Sequence, residues 1–352
     1  MQKIYNFLIG GMAVALVVGA AGLTAWGAGD SQVRKIVVFR EGVVNEPARE
    51  ALVRSVGGVK IKDLNLIGGK AVLLPSRSVA ALEKDPRILR VDDDVLVEAL
   101  GRFEELGKQV AVSVSQSLPW GIDRIDAELV WGATTADAVK VGVIDTGIEL
   151  AHPDLAGNIK GGYNAINATK SWNDDNGHGT HVAGIVAAIN NTVGVVGVAP
   201  KADLYAIKVL SRTGSGYLSD VIEGLQWAVV NGMQVVNMSL GSSSNVQSFA
   251  DAVVAAKAAG LTMVAAAGNS GGAVSYPAAY PEVIAVSATD SNNAIASFSS
   301  RGPAVDLSAP GVSIYSTYKG KTYKTLNGTS MASPHVAGAV ALLLSVPAKC
   351  DL

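Results

Sequence analysis

The chain has 352 residues, 49% hydrophobic and 16% charged, which allows one large domain plus a small one and excludes intrinsic disorder. A net charge of -2 gives no basis for binding nucleic acid or an anionic membrane surface. The lone cysteine, Cys350, closes no intrachain disulfide, so packing, with or without a metal, must hold the fold.

In chain order, Met1 to about Gly27 has the pattern of a secretory signal. Lys3 gives the charged start, Phe7 to Leu23 the apolar region, and Ala25-Trp26-Gly27 small residues for cleavage. The apolar run is near the lower limit for a membrane span, so an uncleaved anchor is the alternative. Val33 to Leu100 reads as a small α+β unit. It has a strand at 35–39, a helix at 46–55, strands at 59–66 and 71–74, a helix at 78–84 and a strand at 88–92. That β-α-β-β-α-β order is the split βαβ pattern. The unit has neither histidine nor cysteine, and its place between a signal and a larger domain suits a propeptide, with a plain accessory domain as the alternative.

After an irregular connector, 101–117, strands alternate with helices. Strands are expected at 139–144, 203–209, 235–238, 262–266 and 283–287, and helices at 178–188, 220–230, 251–260 and 331–344. Such alternation predicts an α/β fold: a doubly wound, mainly parallel sheet with helices on both faces. Chemistry in such sheets gathers at the carboxyl ends of the strands.

Asn327-Gly328-Thr329-Ser330-Met331-Ala332-Ser333-Pro334-His335 presents a serine at a glycine turn that opens an apolar helix. Pro334 has no N–H to give the Ser330 carbonyl, which puts it in the first turn. Ser330 is the candidate nucleophile, in the positive field of a helix N-terminus; a simple N-cap is the alternative. A serine hydroxyl needs a base. Among the four histidines, His335 lies about 140° round the same helix and His152 is in a turn. In Asn176-Gly177-His178-Gly179-Thr180-His181, His178 stands where a helix begins and is expected to face the cleft, whereas His181 points into the packing. The base needs a carboxylate, and Asp145 follows the apolar strand 141–144 at the same sheet edge. Asp145-Thr146-Gly147 has no second copy for an aspartic-protease reading, and the H-x-x-H pair lacks the glutamate of a zinc protease. Gly268-Asn269 ends another strand and brings an amide to the same edge, although such a pair is also a common turn.

Asp145-Thr146-Gly147, Asn176 to His181 and Asn327 to Pro334, in that order, resemble the three signature blocks of subtilisin-like serine proteases, the subtilase family. The likeness extends through nearly all of 118–345, and 33–100 resembles the family's inhibitory propeptide. The resemblance implies a secreted, extracellular serine endopeptidase acting on polypeptides, made as a self-processing zymogen and working as a monomer. Its parts would be a signal peptide (1–27), a small ferredoxin-like propeptide serving as chaperone and inhibitor (28–100), and a C-terminally short catalytic domain (101–352). It implies a triad of Asp145, His178 and Ser330, with an oxyanion hole from Asn269 and the Ser330 N–H. Ser239-Leu240-Gly241 and Gly214-Ser215-Gly216 would form the two walls of the substrate cleft, with Gly241 and Gly268 leaving room for a large apolar side chain. It also implies Ca2+ held by Gln116, Asp154 and Asn191 with the carbonyls of Ile189, Val193 and Val195, all hard oxygen ligands. The rival reading is an inactive homologue that binds or inhibits through 33–100.

Overall fold

The computed structural model describes residues 31–101, 110–111 and 115–346, so the signal reading for 1–27 and the position of Cys350 lie outside it. The first unit comprises β1 (Gln32–Phe39), α1 (Glu46–Ser55), β2 (Val59–Leu64), β3 (Gly69–Pro75), α2 (Val79–Glu83) and β4 (Ile88–Asp93). Its sheet order is β2-β3-β1-β4, antiparallel at each junction, as the split pattern predicts. The helix α1 starts where the sequence places it because Asn45 Oδ1 accepts from Ala48 N at 3.1 Å, a local N-cap. Alternation in β1 divides the sheet: Val37 and Phe39 pack with Leu52, Val53, Val72 and Leu74. Ile36 and Val38 turn the other way, into a core shared with the large domain.

Next come β5 (Leu96–Ala99), β6 (Val110–Ala111), α3 (Trp120–Arg124), α4 (Ala127–Val130), β7 (Lys140–Asp145), β8 (Ile159–Asn164) and α5 (His178–Ala187). They are followed by β9 (Asp203–Lys208), β10 (Ser215–Tyr217), α6 (Leu218–Val230), β11 (Val235–Met238), β12 (Leu240–Gly241) and α7 (Gln247–Ala258). The rest are β13 (Thr262–Ala266), β14 (Ile284–Thr289), β15 (Leu307–Pro310), β16 (Ile314–Tyr318), β17 (Thr322–Leu326) and α8 (Thr329–Ser345). The main sheet has seven parallel strands in the order β15-β14-β13-β11-β7-β9-β8. Residues of α5 and α8 pack in one apolar core and those of α6 and α7 in another, which covers both faces. The chain builds one side of β7 with β8 and β9, then crosses to add β11, β13, β14 and β15. Asp145 therefore ends the strand at which the winding reverses, where doubly wound folds open a crevice.

Both parts are joined by charge and by helix caps. Asp94 accepts from Ser219 N at 2.8 Å and Ser219 Oγ at 2.9 Å at the start of α6. Asp92 likewise takes Ser248 N at 3.0 Å and Ser248 Oγ at 2.5 Å in the first turn of α7. Lys62 reaches Asp220 and Glu223, and Arg90 reaches Asp251. A carboxylate on the free N–H groups of a helix is placed where the helix field is favourable.

The sequence missed several elements for identifiable reasons. The two glycines inside β8 weaken its strand signal, yet a Cβ at Gly162 would lie 2.4 Å from the Ala206 carbonyl oxygen, so the close strand approach requires one of them. The hairpin β16–β17 and the short β15 have no long apolar run. α7 begins at Gln247, four residues earlier than read, and the connector contributes β6, which pairs with β17.

Candidate active site

Asp145 ends β7 and His178 opens α5, and both are fully buried. His178 Nδ1 lies 2.8 Å from Asp145 Oδ1 and 2.9 Å from Oδ2, so the ring donates its Nδ1–H to the carboxylate and leaves Nε2 to accept a proton. Burial pulls the His178 pKa down, but the charge and hydrogen bond of Asp145, with the charge of Asp174, outweigh it and leave it raised. His178 is turned toward the end of β5, as expected of a group facing the cleft, but it is fully buried there and not exposed. Residue 101 covers the ring so closely that a Cβ at Gly101 would sit 2.7 Å from Cδ2 and 2.9 Å from Nε2.

Ser330 is the second residue of α8. The turn before it holds Gly328 at φ 151°, where only glycine is comfortable. Pro334 leaves the Ser330 carbonyl without its helical donor, and the Ser239 hydroxyl supplies one at 2.8 Å. Ser330 Oγ donates to the Ser239 carbonyl at 3.0 Å and makes no bond to His178, whose Nε2 has no partner among the described residues. The structure thus joins Asp145 to His178 and brings Ser330 to the same edge with its hydroxyl turned aside.

Between the expected cleft walls runs β5. It pairs antiparallel with β10, Ser215 opposite Glu98 and Gly216 opposite Val97, and with β12, Leu240 opposite Ala99 and Gly241 opposite Glu98. Ala99 N donates to Gly214 O at 2.9 Å and Leu100 N to Ser239 O at 3.1 Å, so the bonding continues past the strand end. Asn269 Nδ2 donates to the Leu100 carbonyl oxygen. Thr329 fixes that amide by giving Asn269 Oδ1 both its N–H and its hydroxyl, each at 2.9 Å. The lack of a side chain at Gly328 is also what lets the Leu100 carbonyl approach, since a Cβ there would be 2.7 Å from the oxygen. Gly241 leaves room for the Leu100 side chain, whereas the space at Gly268 is taken by the side chains of Ser275 and Ser300.

The other histidines take the roles read from spacing. His181 Nε2 meets the carbonyls of Ile314 and Lys324, His335 Nδ1 the Met331 carbonyl, and His152 Nε2 the Thr322 carbonyl. Desolvation lowers the pKa of His181 to about 3 and of His335 to about 4, and lowers that of His152, so all three are neutral packing groups at neutral pH. Two residues that sequence reasoning missed support the site. Lys208 is buried and binds the Thr146 and Leu210 carbonyls and Asp175. Asp174 gathers the loop before α5; its signal was the run Asp174-Asp175-Asn176-Gly177, a turn with side chains able to cap the following helix.

The residues expected around calcium also converge. Gln116 Nε2 donates to the carbonyls of Ile189 and Val195, at 2.8 and 3.2 Å, and Asn191 Nδ2 to Asp154 Oδ1 at 2.8 Å. Val193 N donates to Asn191 Oδ1 at 2.7 Å, and Val193 bridges to Ser115. Asp154 is fully buried, and its hydrogen-bond donors are the neutral Asn191 amide, Val195 N and the Tyr323 hydroxyl. A buried carboxylate with only neutral donors, in the same loop cluster as the Ile189 and Val195 carbonyls, suits a hard divalent cation, and a half-turn of the Gln116 amide would present its oxygen instead of nitrogen there.

A serine at a helix start, a buried carboxylate–histidine pair and an amide aimed at a peptide carbonyl, on one parallel sheet edge, define a serine-peptidase arrangement. Residues 136–349 match the Subtilase family, and the chain belongs to that family and is a serine endopeptidase. It is 50% identical to an alkaline protease of Alkalihalobacillus alcalophilus over 275 residues, 78% of this chain and 68% of that one. It is 41% identical to subtilisin E of Bacillus subtilis over 355 residues, 98% and 89% of the two chains. It is 54% identical to subtilisin Savinase of Lederbergia lenta over 231 residues, 65% and 85% respectively. Among the described residues no helix is long and apolar enough to cross a membrane.

Proposed function

We propose that the chain is the zymogen of a secreted, monomeric, calcium-binding endopeptidase that cuts its own Leu100–Gly101 bond. The observation that carries this reading is the Leu100 carbonyl on Asn269 Nδ2, with Gly101 against His178 at the start of the serine helix. Residues 28–100 are read as the propeptide and 101–352 as the catalytic domain, β5 being a bound product strand in waiting.

In the reaction, Ser330 turns its hydroxyl from the Ser239 carbonyl to His178 Nε2, as catalytic hydrogen bonds often align only in the productive complex. Ser330 Oγ attacks the Leu100 carbonyl carbon while Nε2 takes the proton, and Asp145 stabilises the imidazolium that forms. The carbonyl oxygen becomes an anion held by the Asn269 amide and the Ser330 N–H, in the positive field of α8. His178 then protonates the departing Gly101 nitrogen, and water frees Leu100 by the reverse sequence. Other polypeptides would enter as extended strands between β10 and β12, recognised through main-chain bonds. Calcium, held by Gln116, Asp154 and Asn191 with carbonyls of 189–195, would neutralise the buried carboxylate and stiffen that loop.

Intact-mass analysis of secreted protein tests the reading. The wild-type chain should end its first fragment at Leu100, Ser330→Ala should remain uncut, and a serine-directed phosphonate should add its mass at Ser330. A Ser330→Ala chain cut at Leu100 would overturn it.

A further inference from the structure

The first helical turn of α5 has an unusual cap. Its N-cap residue, Gly177, sits at φ 113° and has no side chain to offer, so the four free N–H groups must find partners elsewhere. Gly177 N donates to Asp174 Oδ1 at 2.9 Å, His178 N to Asn176 Oδ1 at 3.0 Å, Gly179 N to Thr146 Oγ1 at 2.9 Å and Thr180 N to Asp174 Oδ2 at 3.0 Å, and the first bond within the helix is His181 N to Gly177 O at 3.1 Å. One buried carboxylate, Asp174, joins these pieces. Its Oδ1 accepts from Thr146 Oγ1, Asn176 N and Gly177 N, each at 2.9 Å, and its Oδ2 also takes Thr180 Oγ1 at 2.6 Å. Thr146 is bonded in turn to the Asp145 carboxylate through its N–H at 2.7 Å.

We propose that Asp174 is a positioning residue for peptide-bond hydrolysis: without touching substrate, it clamps the turn after Asp145 to the start of α5 and so holds His178 in line. This rests on the triad reading above. The carboxylate is placed for the task, because five hydrogen bonds converge on a group shielded from water, at a helix end whose field favours negative charge. A rigid support is required there, since a misplacement of about 1 Å in a catalytic group costs roughly a hundredfold. It also counters the helix field, which by itself would make His178 a weaker base. The charged groups around His178 are Asp145 on β7 and Asp174 before α5, with the Lys208–Asp175 pair behind the same loop.

The test uses the full chain, after processing, on a chromogenic peptide ending in the 97–100 sequence Val-Glu-Ala-Leu. Asp174→Asn should lower kcat about ten- to a hundredfold, leave KM within about twofold, and move the acid limb of kcat/KM to lower pH. Thr146→Val, which removes the clamp's link to the Asp145 turn, should lower kcat about tenfold with KM unchanged, and carries the test if Asp174→Asn does not fold. Variants that are folded at the assay temperature with wild-type kcat and acid limb, whatever their melting temperature, would overturn the inference. Phosphonate labelling separates the two claims: an unlabelled wild type sinks the triad reading, whereas a labelled wild type with unimpaired variants sinks the role of Asp174 alone.

Discussion

Residues 31–101 touch the large domain in two ways. The sheet face uses side chains: Asp92 and Asp94 on two helix starts, Lys62 and Arg90 on carboxylates, and Ile36 and Val38 in a shared core. Residues 96–100 use the main chain, paired with β10 and β12 and ending with a carbonyl on Asn269. Any extended peptide without proline at the paired positions can make the second kind of contact, because every residue but proline has a backbone N–H as well as a C=O. The first kind needs this particular sequence. In the proposed zymogen the difference separates substrates, which meet only the cleft, from the chain's own propeptide, which meets both and is held.

That contrast can be broken at several points. Asn269→Ala removes the donor from the cleft end and should lower kcat for every substrate by about a hundred- to a thousandfold, with little change in KM; the magnitude is that measured in a subtilisin for the corresponding donor. Steady-state kinetics on two unrelated peptides would check it, and a loss confined to KM would refute the assigned role. Calcium removal should act on the scaffold beneath both contacts. At a hundredfold excess over its dissociation constant a single ion stabilises by about 2.7 kcal/mol, so chelation should lower the melting temperature by roughly 5–10 °C, and Asp154→Asn should abolish that response.

Acid should also weaken the scaffold. His181 and His335 are neutral when folded, with pKa values of about 3 and about 4, whereas an unfolded histidine titrates near 6.5. The unfolded state therefore binds more protons below 6.5, and stability falls as pH drops toward 4, by about 1.4 kcal/mol per unit at most for each histidine. Denaturant titrations at pH 7 and 5.5 should differ by about 2 kcal/mol, and equal midpoints would contradict the burial of these rings. The smallest effect is expected at the caps. Asp94→Ala or Asp92→Ala should each cost about 1 kcal/mol of docking, seen as a roughly fivefold weaker inhibition of processed enzyme by residues 31–100 added in trans. Cleavage of short peptides should not change, which sharpens the distinction between the two contacts.

The sequence carried much of this because its signals are local. Periodicity located the strands of the main sheet from β7 to β14 other than β8, glycine and proline fixed the start of α8, and apolar strand ends put Asp145 and Asn269 at one edge. It failed where the decisive partner is distant. No local pattern says that Gly101 will cover His178, that Ser330 will turn to Ser239, or that the carbonyl freed by Pro334 will be met by the same residue. The role of Asp174 was hidden in what reads as a turn, because its bonds run to Thr146 on another element as well as to its own loop.

The amino-acid order alone therefore determined which chemistry the chain can hold: a serine, a histidine, a carboxylate and an amide, each at the end of a predictable element. Only the tertiary structure decided how those groups are occupied. Ladder bonds put residues 96–100 between β10 and β12, the Asp145 carboxylate raised the pKa of one histidine of α5 against its burial while desolvation depressed the other, and a single carboxylate tied two loops together. The physical reason is that hydrogen-bond partners and desolvation are set by which segments meet in space, and a sequence read locally contains only the segments that are neighbours along the chain.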